Sequence, residues 1–216
     1  MFFHLLNRTL WCRYIRMCSS AKQIRPLDGI KVIELEGYVP VPHCGLILSD
    51  FGAKVTVISR VAFFERSYGE KTVPIDEHCL TRGKELILLN LKTKDGLKKA
   101  REMILSSDVL LDPFRPGVLE KLGLDPVELL KDNKKLVVAR LSGYGQTGDL
   151  SRTAGHDLNF ASMSGLLPAM TAKVIPRPPY WPSANMVTGL AGGALTTAFG
   201  VVAALFNRCN NGDNLI

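Results

Sequence analysis

Four features of this 216-residue sequence carry residue types that can do chemistry. The first is Ala154-Gly155-His156-Asp157, which precedes a short stretch with helical apolar spacing. Histidine titrates near neutrality and can take a proton. A helix start also presents free backbone N–H groups and partial positive charge, both suited to a developing oxyanion. A lone histidine more often serves packing, so its place at a helix start is what favours chemistry. The second feature is Arg60, directly after an apolar run at 54–58. Open α/β sheets bind ligands at the carboxyl ends of their strands. Arg82, Lys84, Arg115 and Lys121 read as a basic rim in nearby loops, suited to phosphates or carboxylates. Taken singly, each is more commonly a solvated charge.

The third feature is GYGQTG at 143–148, which matches G-x-G-x-x-G. A dinucleotide site needs a helix opening there and an acid about 20 residues further on. Arg152 and Gly155 interrupt any helix, and no Asp or Glu occurs between 158 and 212. The segment reads as a glycine-rich loop. The fourth feature is the set of cysteines at 12, 18, 44, 79 and 209. Their odd number, scatter and lack of CxxC give no disulfide or zinc framework, suit a reducing compartment and predict no metal site.

These residues need elements to position them. Runs at 30–35, 54–58, 86–91, 108–111 and 136–141 are short and apolar, the first rich in β-branched residues, so they read as strands. Helical spacing covers 41–52, 94–106, 125–133 and 157–166. Leu97, Ala100, Met103 and Ile104 form the inner face of the second of these. Residues 61–83 read as a long surface loop. Strand and helix alternating at this spacing predicts an α/β fold, a Rossmann-like parallel sheet with flanking helices. Residues 174–184 hold four prolines and cannot be helical throughout. Residues 186–206 are uncharged, long enough for a membrane span and marked by Gly189-x-x-x-Gly193. The same composition suits a buried helix of a soluble core, with glycines and threonines lowering its hydrophobicity.

Composition places the chain among ordinary globular proteins, at 46% apolar and 22% charged. Net charge is +7, and +5 of it lies in residues 1–27, which contain no acid. The basic balance therefore predicts a targeting tail, not a nucleic-acid partner. On a helical wheel Phe3, Leu6, Leu10, Tyr14 and Met17 share one face, with Arg8 and Arg16 opposite. Residues 1–25 thus read as a mitochondrial transit segment, since Arg8 and Arg13 break the apolar run a secretory signal needs. A peroxisomal address is the alternative.

Seven stretches together resemble the class III CoA-transferase (CaiB/BaiF-type) family, in particular its α-methylacyl-CoA racemase branch. They are PLDGIKVIEL, LSDFGAKVTVISR, LTRGKELILLNLK, SDVLLDPFRPGVLEKLGL, LVVARLSGYGQTG, AGHDLNF and NMVTGLAGGALTTAFGVVAALFNR, in family order from about residue 26 onward. The resemblance implies that residues 26–185 are the family's large domain. It makes 186–216 an interior Gly/Ala-rich helix leading into a remainder that the chain lacks, so a truncated fold is expected. It implies an acyl-CoA thioester substrate, with coenzyme A as part of the substrate and no separate cofactor. It implies inversion at a 2-methyl-branched α-carbon through an enolate. His156 matches the family's general base, and the Asp157 N–H matches the group that steadies the thioester oxygen. CoA contacts carry over to Arg60, Leu88, Leu89, Asn90, Leu91, Arg115 and Lys121. They carry over also to Gly155, His156, Asp157, Leu158, Asn159 and Phe160, the last replacing the family's usual tyrosine. The resemblance implies a homodimer, doubtful for a chain of this length, and no membrane span.

One position departs from the family pattern. The racemases place an Asp in N-[LM]-x-x-D-x-x-G-G as the second proton-transfer group, and the transferases use it as nucleophile. Here Gly189 stands at that place in Asn185–Gly193. Glycine can neither give nor take a proton, so the resemblance implies an impaired racemase. The alternatives are a catalytically silent CoA-binding chain or a class III CoA-transferase.

Overall fold

The structure is a computed structural model describing residues 24–60, 79–166 and 186–211. The transit-like segment before residue 24, residues 61–78 of the expected loop, the 174–184 stretch and Asn185 lie outside these residues. The fold is the expected α/β architecture. Five strands, β1 (Lys31–Leu35), β2 (Lys54–Ser59), β3 (Glu85–Leu88), β4 (Val109–Asp112) and β5 (Val137–Arg140), form one sheet. All neighbours pair in parallel, in the order β3-β2-β1-β4-β5.

The central strands read as unbroken apolar runs because both faces of the sheet are covered. Val32, Val55, Val109 and Leu111 face one core. Its other wall comes from α1 (Pro40–Asp50) and α7 (Thr196–Asn211). Ile33, Leu35, Ile58 and Leu110 face a second core. There they meet Ala100 and Ile104 of α2 (Lys94–Leu105), Leu119 of α3 (Val118–Lys121) and Leu129 of α4 (Pro126–Asp132). The remaining helices are α5 (Asp157–Met163) and α6 (Met186–Leu195), the latter wound as a π-helix and continued by α7.

The sequence explains most boundaries. Pro40 opens α1 at a position where its missing N–H costs nothing. The helix ends at Asp50, just before Gly52 at φ 112°. Thr93 caps α2 by accepting from the Gly96 N–H at 3.2 Å. Asp125 caps α4 by accepting from the Val127 N–H at 2.8 Å. The strand expected at 86–91 stops at Leu88, because Asn90 turns the chain into that Thr93 cap. Its carbonyl accepts from both the backbone N–H and the hydroxyl of Thr93. The helix expected at 157–166 ends at Met163, and the four-residue α3 had no periodic signal to announce it.

Met186–Asn211 is long and apolar enough to cross a membrane by length and composition, with mean hydropathy 1.7. The described residues instead pack it on the domain along one stripe. Ala194, Ala198, Val201 and Leu205 are buried, while Leu195, Phe199, Val202 and Phe206 are exposed. The expected interior helix is thus interior on one side only, since nothing among the described residues covers the other.

Candidate active site

The chain builds the sheet outward from β1 to β3, then resumes on the other flank of β1 with β4. The loops leaving β1 and β4 therefore part in opposite directions and open a crevice at their carboxyl ends, where α/β sheets bind ligands. A cavity of about 1140 Å³ lies there. Tyr38 and Pro40 follow β1, Pro113 and Arg115 follow β4, and Gly143 follows β5 along its wall. Gly37 lets the first two loops meet, since a Cβ there would sit 2.5 Å from Pro113 Cβ.

The start of α5 and the first turn of α6 close the cavity. His156 is the N-cap of α5, extended at φ −127° and ψ 177°. Its backbone N–H donates to Asn159 Oδ1 at 2.9 Å, and the residue is exposed at the cavity wall. Asp157 follows as the first helical residue, so no carbonyl of its own helix accepts from its N–H. By contrast with its exposed neighbour, Asp157 is buried, only 5% exposed. Asp157 Oδ1 accepts from the Gly189 N–H at 2.7 Å and from the Thr188 hydroxyl. Asp157 Oδ2 is buried and has no hydrogen-bond partner among the described residues.

Phe160 lies one turn into α5. Its ring meets Tyr144 edge-on, with centroids 4.9 Å apart and planes at 84°. It also lies over Gly143, where an added Cβ would stand 2.1 Å from Phe160 Cζ. The glycine-rich loop therefore serves as the seat for this ring. Gly145 and Gly148 hold φ of 78° and 87°, and no helix opens until Asp157. The dinucleotide pattern is thus a chain of turns.

The structure brings Arg115, Gly155, His156, Asp157 and Phe160 together around the cavity. Asn159 supports them from behind through the His156 N–H, and Leu158 is half-buried on the same helix. Arg60 follows β2 and Leu88 ends β3, at the same carboxyl edge but outside the cavity wall, as are Leu89, Asn90 and Leu91. Arg60 is engaged: its guanidinium pairs with the Glu36 carboxylate, and its backbone N–H donates to Glu36 Oε2 at 2.7 Å. Lys121, exposed at the end of α3, also lies away from the wall.

Two members of the expected basic rim are corrected. Arg82 precedes β3 and pairs with Asp50 at the far end of α1. Lys84 is no rim residue at all. Its side chain is 1% exposed, and its Nζ donates to Glu34 Oε2 and to the Pro42 carbonyl, each at 2.7 Å. A lysine can be this deep because a carboxylate and a carbonyl share its charge. Burial pushes Glu34 up to about 7 against the pull of Lys84, and burial lowers Lys84. Burial, with Glu34 nearby, also pushes the Cys44 thiol up to about 12, so it stays protonated and is no nucleophile. The sequence reading missed this pair and the Thr188–Asp157 contact. A hydroxyl in the otherwise apolar first turn of α6 was the available signal for the second.

Against this geometry, residues 27–214 match CoA-transferase family III. The chain belongs to that family. It is 48% identical over 188 residues to a CaiB/baiF CoA-transferase family protein of Caenorhabditis elegans, covering 87% of this chain and 52% of the relative. It is 44% identical to mouse alpha-methylacyl-CoA racemase, covering 86% and 45%. It is 34% identical to acetyl-CoA:oxalate CoA-transferase of Acetobacter aceti, covering 90% and 50%. Among solved structures, a CAIB/BAIF family protein from Brucella suis aligns with TM-score 0.78 at 28% identity, covering 88% and 52%. The chain thus spans about half the length of the relatives it matches.

Proposed function

We propose that the cavity acts on the α-carbon of an acyl-CoA thioester, as an α-methylacyl-CoA racemase does. One observation carries the reading: His156 and Asp157, the N-cap and first residue of α5, both line the cavity between β1 and β4. The His156 imidazole takes the α-proton, and the electron pair moves onto the thioester oxygen to form an enolate. The Asp157 N–H donates to that oxygen, a contact strengthened as negative charge develops. Return of a proton to the opposite face inverts the centre, and return to the same face restores it. Coenzyme A enters as part of the substrate, with Arg115 at the cavity and Arg60 further along the edge offered to its phosphates.

Racemase chemistry is favoured over transfer by the higher identity to the racemase than to the transferase. The acidless, arginine-bearing segment before residue 26 is proposed as a mitochondrial address. The test is to incubate a single enantiomer of a 2-methylacyl-CoA with the protein in D2O, with and without an acceptor carboxylate. Deuterium at the α-carbon supports the reading. CoA transfer to the acceptor without deuterium uptake contradicts it.

A further inference from the structure

Asp157 poses a question that its backbone role leaves open. Its carboxylate is nearly closed off at the wall of a large cavity, yet it makes no ion pair among the described residues. Among the described residues, its side-chain partners belong to the first turn of α6. The Thr188 hydroxyl donates to Oδ1, with the Asp157 carbonyl also within 3.3 Å, and the Gly189 N–H donates to Oδ1 at 2.7 Å. Two donors on one oxygen of a buried carboxylate fix its rotamer. Among the described residues Oδ2 has no donor, which makes the arrangement one of position and not of full satisfaction. Because Asp157 is the first residue of α5 and His156 its cap, fixing this side chain fixes the entry of α5 into the cavity.

We propose that Thr188 is a positioning residue for the active site. Its hydroxyl clamps the Asp157 carboxylate to α6 and so aims both the His156 imidazole and the Asp157 N–H at the cavity. The Gly189 N–H reaches the same oxygen whatever the side chain at 188, so the hydroxyl supplies the part that sequence can change. Thr188 and Gly189, neighbours in the first turn of the π-wound α6, both donate to this one oxygen. The catalytic consequence rests on the acyl-CoA reading above; the geometric claim does not.

The experiment compares the parent protein with Thr188→Val, which keeps the shape and loses the donor, and Thr188→Ser, which keeps the donor. The readouts are the NMR resonances of the His156 ring and the Asp157 amide, the melting temperature, and α-proton exchange from a 2-methylacyl-CoA. In Thr188→Val both resonances are expected to shift, and exchange to fall at least tenfold in kcat with little change in KM. Thr188→Ser is expected to restore both. A lowered melting temperature with both resonances unmoved would mean a merely structural threonine and overturn the proposal. If Thr188→Val does not fold, Thr188→Ala set against Thr188→Ser makes the same comparison. If the parent shows no exchange, the acyl-CoA reading fails, while the resonances still decide whether Thr188 positions α5.

Discussion

Gly189 concentrates the chemistry of a single residue. It is buried, and its N–H lies 2.7 Å from the Asp157 carboxylate. A carboxyl group introduced there would share a buried space with Asp157, and two adjoining carboxyl groups cannot both ionise readily. One would hold its proton toward neutral pH, which is what a proton donor on the second face of the substrate needs. On the proposed reading, Gly189→Asp is therefore expected to add inversion to α-proton exchange that otherwise runs largely on one face. The expected gain in racemisation is about 10²–10⁴-fold, the usual worth of a general acid–base group. The sign of the stability change follows from the same proximity. A carboxyl whose folded pKa is raised contributes stability below its unfolded pKa and loses it as pH rises. Chiral analysis of the product, with urea unfolding at low and neutral pH, checks both halves. Unchanged racemisation in a folded variant would show that position 189 lacks access to the α-carbon.

At the scale of elements, α5 is held by a ring on a glycine. Gly143→Ala puts a methyl group where Phe160 now lies, and overpacking of this kind costs about 1–3 kcal/mol. Phe160→Ala opens a gap at the same place. The pair should therefore be non-additive, with the double variant less destabilised than the two single changes predict. A double-mutant cycle from urea midpoints measures this coupling, and strict additivity would show that the ring does not seat on Gly143. Such contacts also mark the limits of reading elements from sequence. The central strands were legible because burial on both faces leaves apolar runs, as in KVTVIS and VLLD, and the edge strands because ELIL and VVAR keep short apolar runs of their own. His156 was legible because a helix start has a local signal. The seat for Phe160 was not, since 143–148 and 160 meet only through the fold. Lys84 looked like a surface lysine because nothing near it in sequence reveals Glu34, which is 50 positions away and reached across β2. The exposed stripe of α7 was legible only as hydrophobicity, because periodicity does not say which apolar face is covered.

For the molecule as a whole, the buried Lys84–Glu34 pair ties the segment entering β3 to β1 and, through the Pro42 carbonyl, to α1. Glu34 holds its proton more tightly in the folded chain, at about 7 against an ordinary 4.5. Its contribution to stability is therefore complete below pH 4.5 and is lost as pH rises toward 7, a change on the order of 3 kcal/mol. Glu34→Gln should flatten this part of the pH profile of urea unfolding, and parallel profiles for the two proteins would contradict the assignment. The same framework carries the loops after β1 and β4 that open the cavity, where the proposed chemistry has His156 take the α-proton of an acyl-CoA thioester. The most direct measurement is deuterium incorporation at the α-carbon of a 2-methylacyl-CoA, comparing the parent protein with His156→Ala after both are shown to fold. The parent should incorporate deuterium and His156→Ala should do so about 10²–10⁴-fold more slowly. Equal rates in the two folded proteins would contradict the account.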